Sequence, residues 1–505
     1  MEFLEAFEQE TNNTTVTQNG AKTLKSSTDT LVDLFSTISS SRTNPNIVNL
    51  FIQACEQDLE SAVRILFNSR DIRGGQGERT VFRNLLKSLA LSHPKLIANL
   101  IQLVPEYGRW DDLWVLLDTE LKDSVLNSAA TQMQKDLDSD NPSLLAKWMP
   151  SCNASSKITK RQAKYFMKYL GMKEKEYRLM LSNLRNKIDI VEKKICSKQF
   201  KNIEYSKLPS RAGLVHRKTF LKHDSERYVN FMSSLNVLYS ASINAATLYP
   251  YDVVKPILAD SQDSFGELYD AMWKNLPDYF NGESFNGLVV ADVSGSMSCN
   301  DKLPLSVSIS LAMYISERNN NGWKDKFITF SENPTMQTVS GENVVEKVNN
   351  LNSSDWGYNT DLVSVFSLIL EVAVNNNIAA DDMPESLFII SDMEFDIACH
   401  SNRITNFQQI EKMYTESGYK RPKLVFWNVN ASGGNMPVKF DENGTCLVSG
   451  CSPSILKSIL GKEEYNPISV MNETILSERY DPVGDIVKDY PVSYTHLTLP
   501  TNREV

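Results

Sequence analysis

At 505 residues the chain is long enough for about two to four domains. Its 41% hydrophobic and 23% charged residues fit a soluble globular protein, and a net charge of −10 argues against one that coats nucleic acid indiscriminately, although a total can hide a local patch. Seven cysteines without a Cys-x-x-Cys pair, and five scattered histidines, argue against a zinc site and for free thiols in a reducing compartment. The acidic, polar N-terminus is unlike a signal peptide, and no apolar run reaches the ~20 residues of a membrane span. The expected location is the cytoplasm.

Residues 1–26, polar and rich in Thr, Asn and Gln, read as a flexible arm or a segment ordered only on docking. From 27 to 280 the pattern is helical. Residues 46–69 fit two short amphipathic helices, and Val81, Phe82, Leu85, Leu86 and Leu89 keep the spacing of a buried helix face. Leu96, Ile97, Leu100, Ile101 and Val104 repeat it, so the first part is expected to be a stacked array of helical repeats. Gly74-Gly75-Gln76-Gly77 reads as a turn between helices rather than a catalytic motif. Trp110 and Trp114, at i and i+4, are expected to bury one helix face, with Asp111 and Asp112 capping it.

Within this region, 157–227 carries 20 Lys and Arg against 7 Asp and Glu, a net of +13 that leaves −23 for the rest. Such asymmetry marks a localised polyanion site. Lys160, Arg161, Lys164 and Lys168 share one helix face, and Arg211, His216, Arg217 and Lys218 follow a Lys207-Leu208-Pro209-Ser210 break, on a loop or helix start. Tyr165, Phe166, Tyr169, Tyr177, Phe200 and Tyr205 lie among these cations and suit base stacking. The alternative is solvated helix faces whose aromatics point to the core.

The period changes at Gly287. Apolar runs at 287–292, 326–330, 387–390, 424–429 and 446–449 alternate with helical patterns at 303–318, 361–375 and 403–417, which predicts βαβ units and a mostly parallel sheet over 285–485. One more helix is expected over 466–480. The final residues, 492–505, continue no pattern and read as a non-native or disordered tail.

The first of these strands ends in Asp292-Val293-Ser294-Gly295-Ser296. Two later loops match it: Asn359-Thr360-Asp361 opens a helix, and Ser391-Asp392-Met393-Glu394 follows a strand. In a parallel sheet all three fall on one edge. Asp292, Ser294, Ser296, Thr360 and Asp392 then offer two carboxylates and three hydroxyls to a small hard cation, Mg²⁺ above all, and leave a position for an acidic ligand from a partner protein. The structural alternative is that Asp292 and Ser294 only cap the next helix.

This arrangement resembles the metal-ion-dependent adhesion site of von Willebrand factor A domains, over about 285–485. The whole chain resembles the Ro (TROVE) RNA-binding proteins, and more closely a related family. That likeness rests on Arg70-Asp71-Ile72-Arg73-Gly74-Gly75-Gln76-Gly77-Glu78-Arg79 and Pro105-Glu106-Tyr107-Gly108-Arg109-Trp110-Asp111-Asp112-Leu113-Trp114. Leu145-Ala146-Lys147-Trp148-Met149-Pro150, Tyr205-Ser206-Lys207-Leu208-Pro209-Ser210 and Ser477-Glu478-Arg479-Tyr480 also carry it. The resemblance implies an α plus α/β chain: a HEAT-like helical-repeat region followed by a Rossmann-like, doubly wound A-type domain.

It also implies binding of small non-coding RNA by the basic helical surface. The expected function is therefore non-enzymatic: an RNA-binding protein whose A-type domain uses a divalent metal to bind an acidic ligand, with neither membrane nor DNA as partner. Two other readings are a protein-interaction scaffold acting through the metal site alone, and a metal-dependent phosphohydrolase using Glu394 or Asp396.

Overall fold

Asp58 ends one helix and starts the next, and this economy is typical of the first half. Its extended backbone closes Ile47–Gln57, while its carboxylate accepts from the Glu60 amide to cap Leu59–Arg70. The computed structural model describes residues 13–490 except 189, 236–242, 261–262, 281, 283–285, 321, 331–333, 353–359, 398–403, 432 and 463. Short helices continue through Thr80–Ser92, Pro94–Leu100, Lys122–Asp138, Lys157–Tyr169, Glu174–Lys187, Ser210–His223, Pro250–Ala259 and Gly266–Lys274; Thr80–Ser92 packs on Pro94–Leu100, and Pro250–Ala259 on Gly266–Lys274. The expected buried face of Val81, Phe82, Leu85, Leu86 and Leu89 is almost wholly removed from solvent.

The second half is built on six strands: β3 (Gly287–Ala291), β4 (Lys326–Thr329), β5 (Thr335–Thr338), β6 (Ser386–Ser391), β7 (Lys423–Asn428) and β8 (Thr445–Ser449). Their order is β5-β4-β3-β6-β7-β8, with every pair parallel except β4 and β5. The chain enters at the centre, runs outward through β4 and β5, then returns to lay β6, β7 and β8 on the other side. Strand order therefore reverses between β3 and β6, which is where open parallel sheets leave a crevice for ligands. The fold is α followed by α/β, with a mixed six-stranded sheet.

Several elements differ from expectation. Residues 14–24, read as arm, form a hairpin of β1 (Thr14–Val16) and β2 (Lys22–Leu24). The hairpin docks on the α/β half through reciprocal main-chain bonds between Leu24 and Met436. β5 and the Val344–Asn352 helix were not foreseen. The expected 466–480 helix is Pro467–Ile475, and beyond it a separate helix, Asp481–Lys488, leaves the sheet to pack on Leu59–Arg70. The first and last described segments thus cross between the halves, and one hydrophobic core runs through both. The tail at 492–505 lies outside the described residues, as do residues 1–12 of the arm.

Candidate functional site

β3 and β6 deliver Asp292 and Asp392 side by side at the reversal point. Asp292 is fully buried; its Oδ1 accepts from the Ser294 amide at 2.9 Å and its Oδ2 from the Ser391 hydroxyl at 2.7 Å. Ser294 Oγ and Ser296 Oγ are 3.0 Å apart, and Ser296 favours the charged form of Asp392. Burial raises both carboxyls, and the charge of Asp392 raises Asp292 further, to about 7. Two like charges buried beside hydroxyls are a costly arrangement that a cation would relieve.

Thr360 is buried at the head of the Leu362–Asn375 helix, which Asp361 caps by accepting from the Ser364 amide at 3.0 Å. Its amide donates to Asp396 at 2.6 Å and its carbonyl accepts from the Asp396 amide, so the Thr360 turn is stapled to the loop that follows β6. The three loops are therefore assembled on one edge. The residues before Thr360, 356–359, lie outside the described residues, as does His400.

Among the described residues no three His, Cys, Asp or Glu side chains form a metal-binding group. The donor set here is two carboxylates with hydroxyls, which fits a hard cation that keeps several waters and not a soft one. Glu394 and Asp396 are already committed. Glu394 accepts from the Gln18 amide at 2.6 Å and Asn435 at 3.1 Å, while Asp396 holds the Thr360 amide. Sequence reasoning missed Asn19, Ser391 and Asn435 around this site. A Ser directly preceding Asp392 was the one visible signal.

The second candidate surface is the Lys157–Tyr169 helix, whose Ser156 cap accepts from the Thr159 amide at 3.3 Å. Ala163 and Phe166 face the core. Lys157, Lys160, Lys164 and Lys168 are exposed along the other side, and none has an acidic partner among the described residues. Arg161, on the same face, pairs with Asp118 at 2.6 Å. The later cluster divides. Arg217 is only 15% exposed, bonds the Leu214 carbonyl, reaches Asp263 at 3.5 Å and lies over the rings of Phe265 and Tyr269.

Arg217 is thus engaged in packing contacts. Arg211 pairs with the buried Asp252 at 3.0 Å, and His216 lies 4.0 Å from Glu192. Lys218 is exposed without such a partner among the described residues. All four sit on the Ser210–His223 helix. Of the interleaved aromatics, Phe166, Tyr177, Phe200 and Tyr205 are buried, as the core alternative requires. Tyr169 remains exposed, with its hydroxyl on Asn127.

The 70–79 and 105–114 motifs build structure. Asp112 accepts from Arg70, Arg83 and the Arg109 amide, all within 2.8 Å, so one buried carboxylate joins three segments. Trp114 donates to the Trp148 carbonyl and Tyr107 to the Arg479 carbonyl. In the Gly-rich turn, Gly77 has φ +65° and a Cβ there would run into the Tyr249 hydroxyl. Gln76 accepts from the Ser452 amide, and the Gly75 carbonyl accepts from Ser454, so this turn is a joint between the halves.

A family model described as a domain of unknown function, DUF2828, matches residues 17–141 and 143–279, more than half of the chain. The chain belongs to the DUF2828 family. In this DUF2828 protein a second model, also described as a domain of unknown function (DUF7788), matches 286–483 and so spans the Asp292, Thr360 and Asp392 loops. Uncharacterized protein L728 of Acanthamoeba polyphaga mimivirus is 30% identical over 514 residues, covering 93% of this chain and 89% of the viral one. The crystal structure of the Deinococcus radiodurans Ro (RSR) protein aligns with a TM-score of 0.46 and 12% identity, over 86% of this chain and 94% of that one. No described helix is long and apolar enough to cross a membrane.

Proposed function

We propose that this DUF2828 protein is a non-enzymatic, cytoplasmic RNA-binding protein of the Ro-like kind that its sequence resembles. The observation that carries the reading is the row of Lys157, Lys160, Lys164 and Lys168, exposed and without acidic partners on a protein of net charge −10. Cations held apart from carboxylates on an acidic protein are suited to phosphates, whose counterions they displace. Small non-coding RNA is the proposed ligand. With most of the aromatics in the core, recognition rests on backbone charge and shape more than on base stacking.

The A-type domain adds a second binding function. Asp292 and Asp392, with Ser294, Ser296 and Thr360, would hold Mg²⁺ directly or through its waters. When bound, the ion supplies a Lewis-acidic position that accepts a carboxylate from a protein partner. Glu394 and Asp396, the two carboxylates considered for a hydrolytic role, are engaged in the Gln18, Asn435 and Thr360 contacts, which favours binding over phosphate-ester hydrolysis. Titration of a pool of small structured RNAs at two salt concentrations, with and without Mg²⁺, tests the proposal. Tight, salt-steep binding that survives chelation is expected. Background binding at both salts would overturn it in favour of a scaffold acting through the metal site alone.

A further inference from the structure

Asp292 and Asp392 are placed by adjacent strands, but Thr360 comes from a helix head tied to the loop after β6, and part of what holds its side chain comes from the opposite end of the sequence. In the turn between β1 and β2, the Asn19 amide donates to Thr360 Oγ1 at 3.3 Å and to the Glu394 carbonyl at 2.6 Å. The turn is pinned beside it. Gln18 N donates to the Glu394 carboxylate at 2.6 Å, Thr17 Oγ1 to the Phe395 carbonyl at 2.7 Å, and Gly20 bridges to Asp396. One side chain therefore joins the Thr360 loop to the Asp392 loop across 341 and 375 residues.

We propose that Asn19 is a positioning residue of the metal centre, and that docking of the N-terminal hairpin and cation binding are linked. This inference rests on the metal reading above. Its amide takes one of the two lone pairs of the Thr360 oxygen and leaves the other for a cation or its water. A hydrogen bond that orients a ligand oxygen belongs to the outer shell of a metal site, where losses of tenfold or more in affinity are usual. The coupling is reciprocal: a hairpin that favours the cation must be held more tightly when the cation is bound.

The test uses the full chain, with Mn²⁺ titrated calorimetrically and hydrogen exchange followed over residues 13–26 with and without Mg²⁺. Asn19 is exposed, so Asn19→Ala is expected to keep the metal-free thermal midpoint while weakening Mn²⁺ binding about tenfold. Mg²⁺ is expected to slow exchange in the hairpin of the wild type and to leave it unchanged in Asp292→Ala. If Asn19→Ala binds Mn²⁺ as the wild type does and the hairpin ignores Mg²⁺, the inference is overturned while the metal centre stands. If the wild type and Asp292→Ala are alike in failing to bind, the metal reading itself falls and takes the inference with it.

Discussion

Asp292 sits at the end of β3 with a second carboxyl for a neighbour, and burial disfavours ionising either of them. A cation that binds only the folded chain stabilises it by mass action, by about 2.7 kcal/mol at one hundred times its Kd. Thermal denaturation should therefore show a midpoint that rises with Mg²⁺ in the wild type, and no rise in Asp292→Ala. Arg217 presents the opposite case. It contacts Asp263, Phe265, Tyr269 and the Leu214 carbonyl, so Arg217→Ala should cost about 2 kcal/mol in urea denaturation, as for a lost buried charged contact. RNA affinity per folded molecule should be unchanged. An affinity loss without destabilisation would return Arg217 to the binding surface.

The Lys157–Tyr169 helix makes one claim at the scale of an element: its outer row acts as a unit. Replacing Lys164 and Lys168 by Glu should weaken RNA binding at every sequence tested and lower the salt slope by about 1.4 to 1.8, from roughly 0.7 to 0.9 per phosphate contact. An unchanged slope would place the RNA elsewhere. The Pro94–Leu100 helix makes a claim about pH. His93 precedes it, packs its ring against Tyr490, and is held below its ordinary value by burial. The unfolded chain then takes the proton first as pH falls through about 6.5, so stability present above that pH is lost below it. The thermal midpoint should drop between pH 7.5 and 5.5, and His93→Phe should remove part of that drop.

For the whole molecule the decisive joint is between Leu59–Arg70 and the C-terminal segment. Arg479 grips the fully buried Asp71 through two bonds of 2.7 and 2.9 Å, and the Tyr480 hydroxyl adds a third at 3.2 Å. Nearby, Arg64 passes beneath Gly484 to reach the Ile475 carbonyl and Asp481. Asp71→Ala removes the shared acceptor of the part-exposed Arg479 guanidinium and the Tyr480 hydroxyl, which should cost about 2 kcal/mol. Limited proteolysis should then cut first within 476–490. A variant that unfolds at the wild-type midpoint would show that the halves do not depend on this joint. Because the core is continuous, separate expression of 27–280 should yield a poorly folded fragment.

Sequence alone determined what repeats locally. The apolar runs at β3, β4, β6, β7 and β8 were legible because strands covered on both faces must be apolar along their length, and the helix faces because burial recurs every 3.6 residues. That Asp292, Ser294, Ser296 and Asp392 meet at one edge was legible because parallel strands end on the same side of a sheet. Tertiary structure alone decided the rest. β5 is polar and exposed, so only its pairing with β4 makes it a strand. The β1–β2 hairpin reads as arm because the partners that order it, Glu394, Phe395 and Met436, lie more than 370 residues away. A lysine or arginine looks the same in sequence whether it faces water or an aromatic ring, and only packing separated Lys164 from Arg217. The glycines of the 74–77 turn likewise state that a backbone must pass closely, and only the fold says that it passes Tyr249.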